Sequence, residues 1–239
     1  LSYTISSPSL THGDTVYWQV RARNSTTSTN YSSILSFTID TQAPTSQSIS
    51  IKDGDLYTTS RTVSLTLSAT GADYMMISNN EDFSGASWIS YTTTKSWTLA
   101  TGDGTKNVYF KTKDSSVGDQ GSTDYANIAN SINDSIILDE TAPTVTPQSP
   151  SSGSSITTTT NLAIRATLSD SGSGINTSEV TMIIDGSQVT PTQVTSSLAR
   201  YVMPTISTGS HYVNVTATDN VGFTSYSNWT FTVTTSSVA

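Results

Sequence analysis

The 239 residues suffice for about two sandwich-sized domains, since single domains cluster near 100 to 150 residues, and are too few for a large multidomain enzyme. Ser and Thr supply 87 residues, charged side chains 12% and Cys none, a balance that disfavours a cytosolic housekeeping enzyme and removes disulfides, thiolate metal sites and cysteine nucleophiles. The net charge of −8 is spread as 0 over residues 1–40, −6 over 41–140 and −2 over 141–239 with no Lys/Arg run, so nucleic acid and anionic membrane are poor partners, and no apolar stretch nears the roughly 18 to 20 residues of a membrane helix.

Thr suits strands whose outer face meets water, and almost no stretch holds a 3.6-residue apolar period, so an all-β chain is expected. Residues 1–39 offer three candidate strands, 3–6, 16–23 and 34–39, with Trp18, Val20 and Ala22 on an inward register. Asp40-Thr-Gln-Ala-Pro44-Thr45 follows, and 99 residues later Asp139-Glu140-Thr-Ala-Pro143-Thr144 repeats it. Pro fixes φ and suits a short, stiff joint. Alternating runs then recur: Val63/Leu65/Leu67/Ala69 and Val108/Phe110/Thr112/Asp114, then Leu162/Ile164/Ala166/Leu168, Val180/Met182/Ile184 and Val213/Val215/Ala217/Asp219. Their apolar members are expected to face a shared core. Gly13, Gly104 and Gly209 mark the corner before one strand of each unit. Between 115 and 135, Tyr125, Ala126, Ile128, Ala129 and Ile132 have partial helical spacing, which leaves a short helix or a long loop open there.

The resulting division is 1–40, 41–139 and 140–239, the last two each long enough for an aligned two-sheet sandwich. Three strands leave one face of the first unit uncovered, so upstream residues or another chain are expected to complete it. Leu1 opens no signal-peptide pattern, and the chain reads as mature, processed or excised.

Met75-Met-Ile-Ser-Asn-Asn80, Phe83-Ser-Gly-Ala-Ser-Trp88, Thr94-Lys-Ser-Trp97 and Gly102-Asp-Gly-Thr-Lys106 resemble one bacterial or archaeal immunoglobulin-like repeat of large cell-surface and secreted proteins. Ser169-Asp-Ser-Gly-Ser-Gly-Ile175, residues 180–186 and Thr218-Asp-Asn-Val-Gly222 resemble another, and residues 1–40 resemble the last strands of a fibronectin type III domain. The aromatic of the type III corner would fall at Val16, with Tyr17 displaced outward. The resemblance implies an all-β fold of tandem immunoglobulin-like β-sandwiches preceded by a partial fibronectin type III-like sandwich. It implies little about function, because such repeats serve as stalks, adhesins, layer proteins and enzyme spacers alike.

In such a sandwich the start of strand A and the loops after strands B and F lie at one pole. Acidic residues fall on all three: Asp139 with Glu140, Asp170 and Asp219 in the last unit, and Asp40, Asp73 and Asp114 in the one before. Calcium takes six to eight oxygen ligands, and three converging loops can supply them, so calcium at interdomain joints is expected, foremost before the last unit. The plainer alternative is that Asp caps turns at strand ends. The glycines of Ser171-Gly-Ser-Gly174 favour the ion by letting carbonyls turn inward.

Trp18 and Trp97 alternate with apolar neighbours and Trp229 shares the register of Phe231 and Val233, so all three are expected in cores; Trp88 and Tyr91 remain open as a polysaccharide contact. Asn-X-Ser/Thr sequons stand at Asn24, Asn30, Asn133, Asn176, Asn214 and Asn228, about as many as this Ser/Thr content produces by chance. His12 and His211 fit no metal or triad spacing, and the carboxylates are dispersed rather than paired across a cleft, so no enzyme is expected. Residues 141–239 contain no Lys, which excludes Lys–Asn cross-links there. The expected role is a structural or adhesive segment of a large extracellular surface protein, partnered by neighbouring domains of its own chain or by copies of itself. One alternative is a fibre or surface-layer subunit completed by strands from a neighbouring copy. The other is a non-catalytic, polysaccharide-contacting region of a secreted enzyme.

Overall fold

The β-branched, alternating sequence is realised mainly as strand, with only short 3-10 turns as helix among the described residues. A computed structural model describes residues 10–115 and 127–235. The chain divides into two compact units, Leu1–Ser50, Thr66–Lys95 and Val108–Asp134 in one, Ile51–Leu65, Ser96–Asn107 and Ser135–Ala239 in the other.

The first strands, β1 (Thr15–Trp18) and β2 (Leu35–Thr38), pair antiparallel with Val16 opposite Phe37 and Trp18 opposite Leu35. That register puts four apolar side chains on one face. Trp18 is nevertheless 44% exposed, and Val20 and Ala22 are exposed too, contrary to the expected core register. Two causes are visible. No second layer covers this face among the described residues, and past Trp18 the hydroxyls of Ser32 and Thr29 accept from the N–H groups of Val20 and Ala22, displacing a regular ladder. The candidate strand at 3–6 lies outside the described residues.

After Pro44 come β3 (Thr45–Ile51), β4 (Tyr57–Thr58), β5 (Thr62–Thr70), β6 (Tyr74–Ser78), β7 (Ile89–Ser90), β8 (Thr94–Thr98), β9 (Gly104–Lys113) and β10 (Ile132–Leu138). They form a three-stranded sheet, β3-β5-β8, and a five-stranded one, β4-β10-β9-β6-β7. After Pro143 come β11 (Thr144–Ser149), β12 (Ser155–Ile156), β13 (Thr160–Ser169), β14 (Thr181–Ile184), β15 (Ser187–Val189), β16 (Gln193–Thr195), β17 (Leu198–Thr205), β18 (Gly209–Thr218) and β19 (Thr224–Val233). These give the sheets β11-β13-β17-β16 and β12-β19-β18-β14-β15. Lettered in chain order, the last set reads A-B-E-D beside A′-G-F-C-C′, the immunoglobulin arrangement. The preceding set reads A-B-E beside A′-G-F-C-C′, the same order without D. The chain is therefore all-β, with immunoglobulin-like repeats in tandem.

Alternation fills the cores as the sequence implies. In the last repeat Leu162, Ile164, Ala166 and Leu168 of β13 meet Met182, Ile184, Val213, Val215, Ala217, Trp229 and Phe231 in one buried cluster. Phe231 is 1% exposed, and burying a side chain of that size is worth about 2 to 3 kcal/mol. Gly104 and Gly209 open β9 and β18 at φ +96° and +130°, the corners anticipated from sequence.

Of the residues with helical spacing, Tyr125 and Ala126 lie outside the described residues. The described remainder is not helical: Ile128 bridges Lys113, the Ala129 N–H donates to the Thr112 carbonyl, and Ile132 opens β10.

Candidate cation site at the start of the last sandwich

Three acidic residues stand where strands end. Asp139 follows β10, Asp170 follows β13 and Asp219 follows β18. A carboxylate oxygen from each lies within 4.8 Å of the others. Asp139 and Asp219 are fully buried, and Asp170 is half-buried.

Each carboxylate is held by backbone donors of its own loop or a neighbouring one. Asp139 accepts from Thr141 N (3.3 Å) and Ser173 N (2.8 Å). Asp170 Oδ2 accepts from Gly172 N (3.1 Å) and Gly174 N (2.7 Å), and Asp219 Oδ1 from Val221 N and Phe223 N (2.9 Å each). Most of these are the local caps that Asp makes at turns. The caps leave Asp170 Oδ1 and Asp219 Oδ2 buried with no donor among the described residues. Burial pushes the Asp170 carboxyl above its ordinary value, and the charges of Asp139 and Asp219 add to that push, against the opposing bonds from Gly174 and Gly172. A pocket lined by Thr141, Ala142, Thr144, Ser169, Asp170 and Ser171 opens beside it.

Two of the loop carbonyls expected to turn toward an ion are engaged by Asn220, whose Nδ2 donates to Ser173 O (2.7 Å) and Gly174 O (3.1 Å). Glu140 does not join the cluster: its side chain is exposed, and its backbone N donates to Asp103 Oδ1 at 2.7 Å. Asp103 also accepts from the hydroxyls of Thr141 and Ser171, bonds that hold its carboxyl below the ordinary range, the Thr141 bond foremost. Sequence reasoning missed Asp103, although the flanking glycines of Gly102-Asp103-Gly104 marked a tight turn there.

The residues Asp40, Asp73 and Asp114 make no comparable three-carboxylate group among the described residues. Asp40 Oδ1 accepts from Gln42 N (3.1 Å) and Asp73 Oδ2 from Ser115 N (2.8 Å). Both oxygens of buried Asp114 accept from Asn127 Nδ2, at 3.1 and 2.9 Å, and the same amide lies 3.4 Å from the Asp40 carbonyl.

Elsewhere, Trp229 is buried as expected and Trp97 is half-buried beside buried Leu99. Trp88 and Tyr91 are half-buried, and the ammonium groups of Lys111 and Lys113 stand 5.7 and 5.2 Å from the Trp88 ring centroid. Among the sequons, Asn24, Asn30, Asn133 and Asn228 are exposed, while Asn176 and Asn214 are half-buried. His211 is buried with Nδ1 2.7 Å from Asp185 Oδ2 and Nε2 2.9 Å from the Ser207 carbonyl, so protein oxygens engage both ring nitrogens.

No protein-family profile and no curated protein matches this chain. Among solved structures it is similar to the fibronectin(III)-like modules of Clostridium thermocellum CbhA (14% identity, 80% of this chain and 97% of that one, TM-score 0.31). It is also similar to PcdhgB3 EC1-4 (15% identity, 94% and 57%, TM-score 0.42). A third is the Bacteroides ovatus mixed-linkage glucan utilization protein SGBP-B (11% identity, 94% and 55%, TM-score 0.25). The fold is assigned from the strand order of the chain itself.

Proposed function

We propose that this chain is a non-enzymatic, tension-bearing segment of an extracellular surface protein, a piece of a stalk, fibre or surface layer whose repeats meet at residues 40–41 and 139–140. The observation that carries this reading is the parallel pairing of an early strand with the last strand in both repeats. β4 runs parallel to β10, and β12 parallel to β19. In the last repeat three bonds line this contact: Gly153 N to Thr230 O (2.7 Å), Thr232 N to Ser154 O (2.8 Å) and Thr234 N to Ile156 O (2.8 Å). A chain pulled by its ends drags the start of β12 one way and the end of β19 the other. In a parallel pair these points sit at opposite ends of the ladder, so its bonds are loaded together in shear. An antiparallel pair would instead peel one bond at a time.

Two further observations favour this reading over its rivals. Both ring nitrogens of His211 are engaged by protein oxygens, which leaves neither as a general base. The ammonium groups of Lys111 and Lys113 stand 5.7 and 5.2 Å from the centroid of the Trp88 ring, the surface on which a sugar would stack.

The test is single-molecule pulling of the chain by its ends. Thr234→Pro removes one clamp donor outside the core and is expected to lower the unfolding force of the last repeat; an unchanged force contradicts the clamp. Antibody raised to the chain is expected to label intact source cells, and labelling that requires permeabilised cells contradicts the surface placement.

A further inference from the structure

We propose that Asp139, Asp170 and Asp219 bind one divalent cation of the calcium type, and that the Asn127 amide stands in for a cation at the corresponding place of the preceding repeat. This site lies at the pole of the sandwich; its Asp139 donates its N–H to the Thr58 carbonyl at the end of the β4–β10 pair, and none of its three carboxylates belongs to the β12–β19 pair.

Three like charges within 4.8 Å repel one another, and the ion pairs His12–Asp40, Lys52–Asp55 and His211–Asp185 bring no cationic side chain to them. Backbone caps satisfy one oxygen of Asp219 and leave Oδ2 orphaned in a residue 1% exposed; Asp170 Oδ1 is orphaned in the same way. A buried, ionised oxygen without a donor is costly, and a cation placed among the three removes that cost. The donor set suits the ion, since calcium takes hard carboxylate oxygens and tolerates flexible geometry, whereas magnesium demands a near-ideal octahedron and gives up its water reluctantly. A pocket lined in part by Thr141, Ser169 and Asp170 opens on the Asp170 side of the group.

The chain carries its own comparison. Asp114 follows β9 as Asp219 follows β18, and both are buried. Asn127 Nδ2 meets both oxygens of Asp114 and faces the Asp40 carbonyl. In the last repeat the available amide, Asn220 Nδ2, is turned instead to the carbonyls of Ser173 and Gly174. One pole is closed by a neutral donor, and the other keeps its charge for an ion. Bound there, the cation ties the segment after β10 to the loops after β13 and β18, and it stabilises the folded repeat by mass action.

Calorimetric titration and thermal melting of the whole chain, stripped with chelator and then given calcium or magnesium alone, test this. Expected are one equivalent of calcium, a rise in Tm, and magnesium weaker by about tenfold or more. Asp170→Asn is expected to abolish the calcium response yet melt in chelator no lower than the parent, because its oxygen still accepts from Gly172 and Gly174 while a like charge is gone. Asp114→Asn is expected to keep the single equivalent. Terbium luminescence of the parent chain, displaced by calcium, reads the site without any variant. No heat, no Tm shift and no displaceable terbium in millimolar calcium would overturn the site, as would a full calcium response in folded Asp170→Asn. A second equivalent lost on Asp114→Asn would overturn the role of Asn127.

Discussion

A β-carbon placed on Gly172 would stand 2.3 Å from Cγ of Asp139, closer than any real contact. The backbone of the loop after β13 is thus pressed onto the buried carboxylate that begins the last repeat. Gly172→Ala must push one of them aside, and overpacking of this kind costs about 1 to 3 kcal/mol. Urea unfolding is expected to show a lower midpoint with the slope unchanged.

His211 makes the last repeat sensitive to pH. Burial alone would lower its pKa, but the hydrogen bond to Asp185, the bond to the Ser207 carbonyl and the Asp185 charge together raise it above 6.5. A raised folded value means the stabilisation is fully present below the unfolded pKa of about 6.5 and is lost as pH climbs through the folded one. Melting measured from pH 6 upward is expected to fall in the parent chain. His211→Gln removes that dependence, and an equal slope in the variant would contradict it.

Phe231 lies at the centre of the last core, with its ring 5.4 Å from His211. Truncating it leaves a void among rigid strands. Phe231→Ala is expected to cost about 3 to 5 kcal/mol by chemical denaturation, enough to unfold a marginal sandwich.

The Asn127 amide meets both oxygens of Asp114 inside the protein. Removing a donor from a buried carboxylate costs about 1 to 3 kcal/mol. Asn127→Ala is therefore expected to lower the denaturation midpoint of the chain, and an unchanged midpoint would deny the amide its role.

Sequence made the repeats legible because their signals are local. The Asp-x-x-Ala-Pro-Thr punctuation, the alternating runs and the corner glycines at 104 and 209 each lie within a few residues. Asp139, Asp170 and Asp219 were readable as one cluster once strand order was assumed, since each caps a strand end. Contacts between distant residues were not readable. Asp103 meets Glu140 and Ser171, Asn127 meets Asp114, and Asn220 captures the carbonyls expected to face an ion. Trp18 misled because alternation reports which face is apolar, not whether another layer covers it.

The parallel clamp stands or falls by the direction of pulling. The chain has no Cys, so paired cysteines can serve as unique handles. Handles at Ser151→Cys and Thr235→Cys load β12 against β19 in shear, while Ser151→Cys with Thr230→Cys pulls the same two strands apart from one end. A clamp requires a markedly higher unfolding force for the first pair than for the second. Equal forces in the two directions would contradict it.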